Sequence, residues 1–199
     1  MIPEEGSQNP KAKPITVNLQ RYDYRGFKVG AGRIKQIAWY ACNMLFYNSA
    51  WFPVSSLKAS LLRLFGARVG DRVVIKPRVN IKYPWRLEIG NDVWIGEGVW
   101  IDNLGQVTIG NDCCISQGAY LLTGNHDYSD HRFGLMVGTI VMEHGAWVAA
   151  RSVVCPNVCM HRHSIVTVGS VLTKNTMENG IYSGIPAEFI KMRVMRPVG

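Results

Sequence analysis

The stretch LLTGNHDYSDHRFG, residues 121–134, gathers the side chains of this chain best suited to proton transfer. His126 and His131 supply imidazole, which titrates near neutrality and can take a proton from an attacking hydroxyl, a role worth roughly 10²–10⁴ in rate. Asp127 or a backbone carbonyl could fix the tautomer of His126, and residue order does not choose between them. Tyr128, Ser129, Asp130, Arg132 and Phe133 add hydroxyl, carboxylate, guanidinium and an aromatic ring, a set that suits a sugar. Taken alone, His126 is either a general base or a solvent-facing loop histidine.

The loop interrupts a regular beat. Steps of six give Val69, Ile75, Ile81 and Leu87; after a two-residue slip, Ile89, Ile95 and Ile101; after another, Ile109, Ile115 and Leu121. Beyond the loop the beat resumes at Met142, Val148, Val154, Met160, Val166 and Leu172. In most steps the third following residue is Gly, Asn or Asp, as at Asp92, Gly98, Asp112, Gly118, Gly124, Gly145, Asn157 and Gly169. The fourth is small or β-branched, as at Val93, Cys113, Ala119, Ala146, Ser152, Ser164 and Ser170.

A six-residue period is not helical, and hairpins would demand two-fold alternation with turns at varied spacing. Each short strand points one bulky aliphatic into a narrow core. A small residue fits near each corner, and Gly, Asn or Asp tolerates the left-handed backbone that a tight corner needs. Stacked flat sides then make parallel ladders along a prism, an all-β solenoid. Residues 1–66 read as an N-terminal arm and helical segment, 67–175 as the solenoid with a loop at 127–139, and 176–199 as a C-terminal extension. Within the first part, residues 33–65 read as one or two helices broken at Pro53 and capped anew by Ser55 and Ser56. A long excursion from a rigid solenoid is usually functional.

Of the 199 residues, 47% are hydrophobic and 18% charged, enough for one packed domain and unlike a disordered tail or coiled coil. A net charge of +8 points to an anionic partner. The chain has no long Lys/Arg run and no zinc-finger, RNP or basic-zipper pattern, which argues against nucleic acid. Cys42, Cys113, Cys114, Cys155 and Cys159 match no zinc spacing, and no secretory signal precedes them, so reduced thiols and a cytoplasmic location are expected. The apolar stretch Ile37 to Val54 is too short and too polar to span a membrane. It is expected to pack on the body of the protein. A peripheral membrane contact through residues 33–65 is the alternative, favoured by Lys35, Lys58 and Arg63.

The segments PWRLEIGNDVWIGEGVWIDNLGQVTIG, CISQGAYLLTGNHDYSD and YSGIPAEFIKMR resemble the hexapeptide-repeat, left-handed parallel β-helix acyltransferases. Within them they look most like the colanic-acid biosynthesis acetyltransferases, relatives of the galactoside and maltose O-acetyltransferases. The resemblance runs from about residue 15 to 193. It implies three hexads per coil, a left-handed winding, and a homotrimer with each active site in a cleft between neighbours. Ile101 and Leu121 should then share one face on successive coils, about 4.8 Å apart.

The resemblance also implies acetyl-CoA as co-substrate, no metal requirement, and a sugar or a nucleotide- or lipid-linked saccharide as acceptor. His126 matches the family's catalytic base, while Asn103 or Asp102 matches an acceptor-binding asparagine; simple turn chemistry is the competing reading for that pair. The pantetheine arm would lie along Trp147, Ala149, Ala150, Val168 and Gly169, with Thr173, Lys174 and Lys191 at the nucleotide end. Here the chain departs from the family at Ala149, where Gly is common, and at CMHRHS, residues 159–164.

His126 and His131 also have the spacing of a metal-binding pair in γ-class carbonic anhydrases. That site needs a third, upstream histidine, and no histidine precedes His126. His161 and His163 read as exposed turn residues. An acetyltransferase of antibiotics or amino sugars, and a non-catalytic trimeric scaffold at a membrane polysaccharide complex, are the other readings of the same fold.

Overall fold

An interior that takes one aliphatic side chain every sixth residue leaves the backbone few options, and the computed structural model, which describes residues 15–196, shows which it takes. Short strands stack in parallel on three faces. The first face holds Arg68–Val69, Leu87–Ile89, Val107–Ile109, Ile140–Met142 and Val158–Met160. The second begins Val74–Ile75, Trp94–Ile95, Cys114–Ile115, Trp147–Val148 and Ile165–Val166. The third holds Asn80–Ile81, Trp100–Asp102, Tyr120–Leu122, Val153–Val154 and Val171–Leu172. Ile89 pairs with Ile109, Ile95 with Ile115, and Ile101 with Leu121. The six-step column from Ile75 to Leu172 is at most 4% exposed, so these side chains form the core.

Corners fall where the period puts them. Asp92, Gly98, Asp112, Gly118, Gly145, Asn157 and Gly169 all have positive φ. Arg72, Arg78, Arg151 and His163 occupy the same corner position with φ of 52° to 57°, residue types that the local preference disfavours. Two of these arginines are held from the next coil: Arg72 by a two-pronged pair with Asp92, and Arg78 by Glu97. Gly124 departs from the expected column, because it lies in the extended strand Gly124–His126 and not at a left-handed corner.

Helix α1 (Arg33–Cys42) runs on into a π turn, Asn43–Tyr47, and helix α2 spans Ser55–Leu64. Both are tied to the first coil. The indole of Trp39 donates to the Ile81 carbonyl at 2.9 Å, and the amide of Asn43 donates to Asn80 at 2.7 Å. The serines expected to cap α2 make no cap. Ser55 instead turns its hydroxyl to Ile75, donating to the carbonyl and accepting from the amide. Lys58 is fully buried, its ammonium donating to the carbonyls of Ile75 and Lys76, and burial lowers its pKa to about 8.

The cations that favoured a membrane face are turned onto the protein itself. Lys58 is inside, Lys35 lies 5.4 Å over the Trp85 ring, and Arg63 binds the Val69 carbonyl. Among the described residues no helix is long and apolar enough to cross a membrane. All five cysteines are free thiols.

The chain divides differently from the expected boundaries at 66 and 175. One compact unit joins the described part of residues 1–27 to His126–Met136; the other comprises Lys28–Asn125 and the described part of 137–199. The helices therefore belong with the solenoid, whose first coil they pack on, and the arm belongs with the loop. The C-terminal extension is part of the sheet: Gly180–Gly184 adds in parallel to Ile165–Val166, and Ala187–Met192 returns antiparallel as the outermost strand.

Candidate active site

The loop is built, not slack. Gly124–His126 and Leu135–Val137 form a two-stranded sheet, and residues 18–23 run beside the turn between them. The Asn18 amide donates to His131, the Asp23 amide to Arg132, and the Leu135 amide to Asp23. Three backbone hydrogen bonds thus fix the arm to the loop.

His126 ends its strand half-buried. Its ring stacks on Phe133, with centroids 4.4 Å apart and planes at 13°, and the edge of Tyr22 approaches at 5.7 Å. Nδ1 lies 3.3 Å from the Phe133 carbonyl oxygen. A carbonyl can only accept, so this hydrogen bond requires the proton on Nδ1, and in the neutral ring Nε2 is then the basic nitrogen. That is the form a general base needs.

Asp127 faces elsewhere. Its carboxylate accepts from the hydroxyl and amide of Ser129 and pairs with Arg25 at 2.8 Å; these hold its pKa below the usual carboxylate value. Between the two ways of orienting His126, the geometry favours the carbonyl. Asp130 accepts from the Arg132 amide and guanidinium and from Arg25, which depress its pKa to about 2. Arg132, expected to bind substrate, is exposed and shared between Asp130 and Asp23, each at 3.1 Å. Tyr128 is 91% exposed, the most open of the loop's proposed contacts.

On the solenoid, Asn103 departs from the expected role. It is wholly buried: its oxygen accepts from the Tyr83 amide and its nitrogen donates to the carbonyls of Tyr83 and Arg86. With the amide engaged in holding the turn Pro84–Arg86, the geometry favours the turn-chemistry reading of Asn103 over the acceptor-binding or catalytic one. Asp102 is also buried, accepting from Tyr120 at 3.2 Å; Lys82 lies 2.8 Å from its other oxygen as an ion pair without hydrogen-bond alignment. Lys82 is the more open partner of that pair, its side chain 39% exposed against 11% for Asp102. With Gln36, Tyr40, Asn43, Tyr83 and Trp100 it lines a groove of about 480 Å³ against α1.

No family model matches the chain. It is 38% identical over 172 residues to the protein named "Putative colanic acid biosynthesis acetyltransferase WcaF" of Escherichia coli K12, covering 85% of this chain and 93% of that one. The chain belongs to the hexapeptide-repeat acetyltransferase family. The galactoside O-acetyltransferase of the same organism is 25% identical over 137 residues, 67% of this chain and 68% of that one. Among solved structures, a hexapeptide-repeat acetyltransferase from Vibrio cholerae complexed with acetyl coenzyme A superposes with a TM-score of 0.74 at 18% identity, covering 85% of this chain and 93% of that one.

In this acetyltransferase four of the residues expected along a coenzyme groove lie on adjoining coils. The Ala149 amide donates to Val166 and the Gly169 amide to Ala150, which sets Ala149, Ala150, Val168 and Gly169 around one corner of the prism. Gly169 has open space where a Cβ would stand, and Val168 is 70% exposed. Trp147 is exposed on the second face, its indole donating to Ser116 at 2.9 Å. Thr173 and Lys174 are exposed just beyond Val171–Leu172, while Lys191 lies on the returning strand opposite Ile181.

Sequence reasoning missed Tyr22, Asp23 and Arg25. The only signal was the density of aromatic and charged residues in RYDYRG, residues 21–26, and no periodicity ties that run to a loop a hundred residues later.

Proposed function

We propose that this acyltransferase is an acetyl-CoA-dependent O-acetyltransferase of a sugar hydroxyl in exopolysaccharide biosynthesis, with His126 as general base. One observation carries the reading: the Phe133 carbonyl on Nδ1 leaves Nε2 as the proton acceptor. In the step, Nε2 takes the hydroxyl proton as oxygen attacks the thioester carbonyl. A C–O bond forms, the C–S bond breaks, and the proton passes to the departing thiolate. Tyr128 and Arg132 stand on the same loop to meet the sugar. The corner at Ala149, Ala150 and Gly169 fits an extended pantetheine arm, because small side chains let it approach the backbone; Thr173, Lys174 and Lys191 offer donors and charge for the phosphates.

Purified protein incubated with acetyl-CoA and a panel of free, nucleotide-linked and lipid-linked sugars should release thiol with at least one of them. His126→Ala should lower that turnover by about 10²–10⁴ in protein that still melts cooperatively. Wild-type turnover in the variant would remove the base assignment. The same reading makes the active protein a trimer, with coenzyme A held partly by a neighbouring copy. Light scattering should report three chains per particle; an active monomer would contradict it.

A further inference from the structure

The run CMHRHS, residues 159–164, carries side chains that the proposed acyl transfer does not use. In the first face Val141 pairs with Cys159 and Met142 with Met160. The next residues, Glu143 and His161, therefore stand side by side on adjoining coils. Alternation along the strand puts Cys159 and His161, two residues apart, on the same outer surface. His161 and His163, expected to be exposed turn residues, are both half-buried, and only His163 occupies the corner itself.

The result is a compact donor set. His161 Nδ1 lies 3.3 Å from Glu143 Oε1 and 3.9 Å from Cys159 Sγ, and all three donor atoms fall within 4.8 Å of one another. Among the described residues no other trio of His, Cys, Asp or Glu comes so close. Ordinary zinc bond lengths at a tetrahedral angle put N and O ligands about 3.4 Å apart, and N and S about 3.6 Å apart. The first distance already fits, and a few tenths of an ångström close the second.

The surroundings hold the donors in place. The Arg162 amide binds the second oxygen of Glu143 at 3.0 Å, Asn175 fixes the Cys159 amide, and Thr176 fixes the His161 amide, each at 2.8 Å. Such supports orient metal ligands.

We propose that Glu143, Cys159 and His161 form a zinc-binding site that clips two successive coils together. Thiolate, imidazole and carboxylate are zinc's three protein donor types, and one thiolate with one carboxylate balances the charge of the ion. The donors are half-exposed, which leaves the fourth position to water. The site takes no part in the acyl transfer proposed above and stands or falls separately from it.

The test uses the full chain, stripped with chelator and titrated with cobalt(II), a spectroscopic probe of zinc sites. One cobalt per chain should bind, giving the near-ultraviolet thiolate band and the visible bands of a tetrahedral ion, both bleached by added zinc. Cys159→Ala should lose the thiolate band, and Cys155→Ala, at another half-buried thiol, should keep it. His161→Ala and Glu143→Gln, both at partly exposed side chains, should weaken binding at least about tenfold in protein that still melts cooperatively. The proposal is overturned by a wild-type chain with no thiolate band, by a band that survives in Cys159→Ala, or by unchanged affinity in both His161→Ala and Glu143→Gln.

Discussion

At the scale of single residues, the loop gives each of its two carboxylates partners of its own. Asp127 and Asp130 are engaged by Arg25, Ser129 and Arg132, so the Phe133 carbonyl is left to orient His126. The Arg132 amide, then its guanidinium, holds Asp130 ionised well below the usual 3.8, at about 2. A depressed carboxylate stabilises the fold at every pH above 3.8 and loses that contribution as pH falls from 3.8 through 2. Limited digestion with pepsin should therefore find the loop protected until that window is entered, then cut within residues 127–134; Asp130→Asn should show a smaller change across it, the remainder belonging to the likewise depressed Asp127. The histidine itself was legible, because a polar run breaks a six-residue beat. Its neighbours were not, since a backbone carbonyl carries no mark in residue type and the arm reaches the loop from across the sequence.

At the scale of elements, the period located the central column of the core and most of the corners, even where the corner residue is an arginine, and failed at Gly124. What it could not supply was the cross-coil partners of two of those arginines, Asp92 for Arg72 and Glu97 for Arg78. Asn103 and Ser55 show the opposite failure: polar residues in plausible functional or capping places that the fold uses to hold backbone. Close backbone approach is just as hidden. A Cβ at Gly105 would stand 1.9 Å from the Gly138 carbonyl oxygen, where the chain rejoins the first face after the loop. Gly105→Ala should cost about 1–3 kcal/mol by overpacking, seen as a lower urea midpoint with an unchanged slope. In contrast, the lowered pKa of Lys58 makes its burial costliest below about 8. Stability attributable to this amine should rise as pH climbs from 8 towards 10.5, a difference visible between the wild type and Lys58→Met.

At the scale of the molecule, a net +8 spread over 199 residues favours an anionic co-substrate whose encounter is steered by charge. The KM for acetyl-CoA should rise with ionic strength while kcat changes little, because salt screens the approach and not the chemistry. The two ends of the solenoid are finished by different means. Helix α2 packs on the first strands, and Ala187–Met192 folds back antiparallel over the last rung of the second face. A ladder of this kind has no intrinsic length, since each rung offers the next the same row of amides and carbonyls. Shorn of that reversing strand, the last parallel rung of the second face would offer an unpaired row of amides and carbonyls, the kind of edge on which a strand from another copy can pair.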